Sequence, residues 1–80
     1  MDTEAIIHSK QAEQRALRQR YAHAAERKWE IRTRTVRPDR EHLRRKILKR
    51  YELECKELVE QINELGEEIY KLQMKERESI

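Results

Sequence analysis

The sequence has few of the residues that shape and fill a globular core. Among its 80 residues there are one glycine, one proline and one cysteine, and phenylalanine is absent. Sheets need turn residues and many aromatic or β-branched side chains, so this composition disfavours a β fold and a packed globule. The lone Cys55 excludes a disulfide within the chain and weakly favours a reducing compartment.

The chain also lacks long hydrophobic runs. The apolar run in its first ten residues covers only residues 5–7, too short for a secretory signal. No stretch approaches the roughly 20 apolar residues that a membrane-spanning helix needs. Acidic residues near the start, such as Glu4 and Glu13, disfavour a mitochondrial presequence. We therefore expect a cytoplasmic location and no membrane partner.

Charge is abundant instead, and charged residues make up 44% of the chain. Residues 1–45 hold 12 Lys and Arg against 7 Asp and Glu, whereas residues 46–80 hold 7 against 9. The basic half is mostly arginine, whose planar guanidinium favours bidentate contacts with carboxylates or phosphates. An acidic partner is expected. We favour protein over nucleic acid, because Trp29 is the one Phe, Tyr or Trp within the arginine cluster at 27–45 that could stack on bases.

Apolar residues recur at steps of three and four over residues 48–72. This heptad seam, called the α2 seam below, consists of Leu48, Tyr51, Cys55, Leu58, Ile62, Leu65, Ile69 and Leu72. A period near 3.5 keeps one apolar stripe turned toward a single surface, as in coiled coils. Gly66 adjoins the seam and costs a helix about 1 kcal/mol relative to alanine, so we expect the helix to stop there.

The whole pattern predicts an all-α, non-globular protein of two long helices. A basic helix rich in Ala and Arg should occupy residues 1–32, capped by Asp2 or Thr3. Residues 33–38 hold β-branched residues and a proline, which predict an extended linker. A second helix, capped by Asp39, should span 39–66 and carry the seam, followed by a short helical or irregular tail over 67–80.

Two such helices bury too little apolar surface to offset the ordering of about 80 residues, so we expect partners to order the chain. The first helix has only a thin apolar stripe, formed by Leu17, Tyr21, Ala24 or Ala25, and Lys28 or Trp29. The sequence leaves open whether the helices fold back or run end to end.

Residues capable of chemistry are present, but not in a pattern that builds a site. His8, His23 and His42 lie 15 and 19 residues apart, unlike any helical metal pair. The glutamates of the second helix lie on a solvated surface, where nothing would raise their pKa values. We expect no enzyme activity, metal, cofactor or small-molecule substrate. Cys55 is interpreted as an apolar seam residue rather than a reactive thiol.

Partner binding is predicted for the seam helix and for the basic segment near its turn. The predicted residues are Leu48, Tyr51, Glu52, Glu54, Leu58, Ile62, Leu65, Gly66, Trp29, Arg32 and Arg34. Full burial of a large apolar side chain is worth about 1.5–3 kcal/mol, against roughly 0–1 kcal/mol for an exposed ion pair, so the seam should dominate. Trp29 either inserts into a pocket of the partner or lies over the turn onto the second helix.

A motif lies within residues 44–70, where a basic, leucine-bearing segment leads to an aromatic residue and Glu-x-Glu. Its parts are Arg44-Arg45, Ile47-Leu48, Tyr51-Glu52-x-Glu54, Gln61-Ile62-Asn63-Glu64-Leu65-Gly66 and Ile69-Tyr70. It resembles a motif of small cilia- and flagella-associated microtubule inner proteins of the axonemal doublet A-tubule. Two positions depart from that family, which usually has an aromatic residue at Leu58 and a glutamate at Gln61.

The resemblance implies a structural protein of the cilium or flagellum. Such a protein binds the luminal face of α/β-tubulin, contacts neighbouring microtubule inner proteins and stabilises the doublet microtubule. Two alternatives remain open from the residues alone. One is a self-associating coiled-coil module, suggested by the α2 seam, and the other is a helical accessory subunit of a large mitochondrial assembly.

Overall fold

The protein is an antiparallel hairpin of two long helices, in a computed structural model that describes residues 2–78. Helix α1 spans Thr3–Thr33 and helix α2 spans Glu41–Glu78, with a 3-10 turn at Pro38–Arg40 between them. Contacts between the helices run from Lys10 and Glu68 near the open end to Arg32 and Glu52 near the turn. The all-α prediction is confirmed, and the chain folds back on itself.

The hairpin is slender. Its extents are 64 × 17 × 14 Å and its Cα radius of gyration is 18.3 Å, whereas a compact 80-residue domain would have roughly 12 Å. Two helices side by side cannot enclose an interior, so the core is a stripe along their line of contact. The predicted non-globular shape is confirmed, and ordering by partners stays a prediction.

Local hydrogen bonds set the ends of α1. The Asp2 carboxylate accepts a hydrogen bond from the Glu4 N–H at 3.1 Å, so Asp2 is the cap. At the other end the Thr33 hydroxyl donates to the Trp29 carbonyl at 2.9 Å. Arg34 then adopts extended dihedral angles. The extended linker therefore occupies residues 34–37, inside the predicted 33–38.

Helix α2 begins differently from the prediction. Pro38 opens the 3-10 turn, where its fixed φ suits a first helical position. The Arg40 N–H donates to the Arg37 carbonyl at 2.9 Å. Asp39 lies inside this turn rather than at the residue preceding α2, so the prediction that it caps the helix is wrong.

The predicted helix stop at Gly66 is also wrong. Helix α2 continues through this residue to Glu78, so residues 67–78 extend the helix, and residues 79 and 80 of the predicted tail lie outside the described part. A glycine that ends a helix usually adopts a positive φ, which Gly66 does not. Its role is steric, because a Cβ at Gly66 would lie 3.2 Å from Gln14 Nε2 of α1.

Candidate functional site

The α2 seam faces α1 of the same chain. Its most buried members are Cys55, Leu58, Leu65 and Ile69. The other four are half-buried: Leu48, Tyr51, Ile62 and Leu72. The structure thus assigns the predicted partner-binding residues Leu48, Tyr51, Leu58, Ile62 and Leu65 to packing within the hairpin. Leu58 and Leu65, only 4% and 8% exposed, have no surface left for a partner.

Helix α1 supplies a matching seam that the sequence analysis found only in part. This α1 seam follows the same three-and-four spacing: Ile7, Lys10, Gln14, Leu17, Tyr21, Ala24, Lys28 and Ile31. All of these except Tyr21 are buried or half-buried. Because Lys10 and Gln14 are polar, a search for apolar residues misses the first part of this periodicity. The aliphatic part of a lysine side chain can cover apolar surface while its ammonium group stays in water. Only the three-and-four spacing of these residues could therefore have indicated the α1 seam.

Gln14 connects the two seams through the backbone of α2. Its side-chain Nε2 donates to the Ile62 carbonyl at 3.1 Å. Gly66 lies one turn beyond Ile62, and its missing Cβ leaves room for the amide. A polar group at a seam position favours one register, because sliding the helices would leave it without its partner. Gly66 therefore serves the helix pairing rather than a helix end.

Ion pairs link the helices at both ends of the seam. Lys10 Nζ lies 2.8 Å from Glu68 Oε2, and this hydrogen bond raises the pKa of Lys10. Near the turn, Arg32 Nη2 lies 3.5 Å from Glu52 Oε1. Exposed pairs of this kind contribute little to stability. Arg32 and Glu52, both predicted to bind a partner, here contact each other.

At its turn end the hairpin has an open groove of about 610 Å³, called the turn groove below. Four of its lining residues are aliphatic and are called its floor below: Ile31, Val36, Leu43 and Ile47. Four more are arginines and are called its rim below: Arg34, Arg37, Arg40 and Arg44. Thr35 completes the lining. Of the lining residues, only Arg34 was predicted to bind a partner. The aliphatic residues were not predicted, because they come from three separate segments of the chain that share no periodicity.

Among residues 2–78, Trp29 and Tyr70 are the most exposed of the large apolar side chains, at 66% and 63%. The interpretation that Trp29 lies over the turn onto α2 does not fit this exposure. Its insertion into a partner stays a prediction. Glu54, also a predicted binding residue, is half-buried beside Arg20 and His23 in a shallow groove between the helices.

Over residues 2–78, no group of three or more His, Cys, Asp or Glu is placed to hold a metal ion. The buried residues in this range are all apolar. Neither of its helices is both long and apolar enough to cross a membrane. No protein-family model, curated protein or solved structure matches the chain.

Proposed function

We propose that this chain is a non-catalytic structural subunit of ciliary doublet microtubules. In this role it binds the luminal face of α/β-tubulin, contacts neighbouring microtubule inner proteins and stabilises the lattice. The observation that carries the docking role is apolar exposure. In the described part of the chain, eight large hydrophobic side chains are exposed against seven hydrophobic residues that are buried. Exposed apolar side chains that adjoin one another, as Leu43 and Ile47 do one turn apart on α2, mark sites of protein contact.

The shape and charge of the hairpin support a place in a protein lattice. A rod of 64 × 17 × 14 Å offers long side faces rather than a pocket. Arginines along α1, such as Arg15, Arg18 and Arg20, are exposed, and they suit an acidic surface such as tubulin. The identity of the partner rests on the resemblance of residues 44–70 to the microtubule inner proteins.

The proposal assigns no catalytic role. General acid–base catalysis needs an ionisable group whose pKa a sheltered environment has tuned. The grooves along this hairpin are open, and none of the charged side chains in residues 2–78 is buried. These features support a binding role.

Fractionation of ciliated cells that express a tagged chain tests the proposal. The tag should follow the axoneme and stay with the doublets after salt extraction. Replacing Trp29 and Tyr70 together with alanine should shift the chain toward the soluble fraction. Replacing Gln19 and Gln73, which are also exposed, should leave its retention unchanged.

Two outcomes would contradict the proposal. A tag that labels mitochondria instead of axonemes would favour the accessory subunit of a mitochondrial assembly. A stable dimer at micromolar concentration, with no axonemal retention, would favour the self-associating module. In the hairpin α1 covers the α2 seam, so the seam supports self-association less than the sequence alone suggested.

A further inference from the structure

We propose that the turn groove binds an acidic segment of a partner protein, which inserts apolar side chains onto the aliphatic floor. The inference deepens the proposed function and rests on it for the docking role alone. It assigns a surface and the partner's chemistry, and it does not require the partner to be tubulin.

The floor of the turn groove is a preformed apolar surface. Ile31 comes from the end of α1, Val36 from the linker, and Leu43 and Ile47 from the first turns of α2. Leu43 and Ile47 lie four residues apart, so they share one face of α2. They remain 49% and 46% exposed. A space of about 610 Å³ falls within the usual range of binding pockets and accommodates leucine-sized side chains.

The rim supplies the charge that selects the partner. The Arg44 guanidinium is already engaged, at 2.8 Å from Glu41 Oε1 and 3.0 Å from the Arg32 carbonyl oxygen. Within residues 2–78, Arg34, Arg37 and Arg40 form no ion pair. Three guanidinium groups around an apolar floor are complementary to a segment whose apolar residues are flanked by carboxylates.

The composition of the groove favours a protein segment over other acidic partners. Single-stranded nucleic acid is usually held by aromatic rings that stack on bases, and the lining residues contain no aromatic ring. A lipid headgroup layer would satisfy the arginines and leave the concave aliphatic floor unfilled. An acidic amphipathic segment satisfies both parts of the groove at once.

Fluorescence anisotropy with the full chain tests the inference. The probe is a labelled synthetic peptide in which two leucines, four positions apart, are flanked by glutamates. We expect saturable binding that weakens about tenfold or more when Arg37→Glu and Arg40→Glu are combined, and likewise with Leu43→Asp. The matched control combines Lys49→Glu and Arg50→Glu, which change the net charge equally outside the groove and should alter binding by no more than about twofold.

The leucines of the probe provide the second control. A peptide with serine at both positions should bind at least about tenfold more weakly than the leucine peptide. Equal binding of the two peptides would reduce the contact to charge alone and overturn the inference. Unchanged binding by the groove variants would overturn it as well. So would tighter, groove-dependent binding of single-stranded RNA or phosphatidylserine vesicles, or a dimer that Leu43→Asp dissociates.

Failure of the inference and failure of the proposed function are distinguishable. Peptide binding by a chain that localises to mitochondria would keep the groove and reject the ciliary role. Axonemal retention that survives the groove substitutions, together with absent peptide binding, would reject the groove alone. Because all the substituted side chains are exposed, circular dichroism should show unchanged helicity in every variant.

Discussion

Replacing Leu58 with alanine should make the hairpin open far more often. Leu58 is 4% exposed and lies in one cluster with Leu17, Ala24 and Leu65. A buried Leu→Ala change costs about 2–5 kcal/mol, and the cost falls where the site can collapse. The core here is one stripe between two helices, so we expect the lower part of that range, about 2–3 kcal/mol.

Cys55 is a built-in probe of this opening. It is 7% exposed on the same seam and carries the chain's lone thiol. A thiol reagent should modify it only when the helices separate, so under fast reclosing the rate follows the open fraction. If the free energy that keeps the helices together falls by about 2–3 kcal/mol, Cys55 should be modified roughly 30- to 140-fold faster.

Leu53→Ala is the matched control for this experiment. It removes the same atoms from the outer face of α2, where Leu53 is 58% exposed, and should change the rate by no more than about twofold. Equal rates for the two variants would refute the internal role of the α2 seam. If Cys55 of the unsubstituted chain is modified as fast in buffer as in urea, the free hairpin is open. That result would favour ordering of the chain by partners.

Two further predictions concern contacts between the helices. Gly66→Ala should be nearly neutral by itself, because a gain of about 1 kcal/mol in helix propensity is offset by the strained Gln14 hydrogen bond. In a Gln14→Ala background it should slow Cys55 modification about fivefold, and an equal effect in both backgrounds would contradict the close approach. The hydrogen bond to Glu68 raises the pKa of Lys10 above the ordinary lysine pKa of 10.5. This contact therefore stabilises the hairpin fully at pH values below 10.5, and the stabilisation is lost as the pH rises through the raised pKa of Lys10. In carbon-13 NMR, the pKa of Lys10 should fall when Glu68→Gln is introduced, and an unchanged pKa in that variant would exclude this cause.

The sequence was most informative where periodicity and apolarity coincide. Helix α2 was predictable because every seam position from Leu48 to Leu72 is apolar or aromatic. The linker was predictable because a proline restricts both itself and the preceding residue. Along α1, Lys10 and Gln14 occupy seam positions, and their role appears only when the opposite helix is in place.

Local rules failed where contacts between distant residues decide the outcome. Gly66 has the chemistry of a helix end, yet the approach of Gln14 gives a glycine a use inside the helix. Asp39 has the chemistry of a cap, yet Pro38 starts a 3-10 turn that contains it. The turn groove joins residues from α1, the linker and α2, so no pattern along the chain could predict it.

The central claim is that the α2 seam packs on α1, leaving the outer faces and the turn groove for partners. A distance measurement by pulsed electron paramagnetic resonance tests it most directly, with spin labels at Gln19→Cys and Glu60→Cys in a Cys55→Ala background. Both labelled positions are exposed, and adjacent helix axes about 8–10 Å apart should bring the labels to roughly 20–30 Å. A distribution centred near 60 Å, the length of about 41 residues in one continuous helix, would contradict the account.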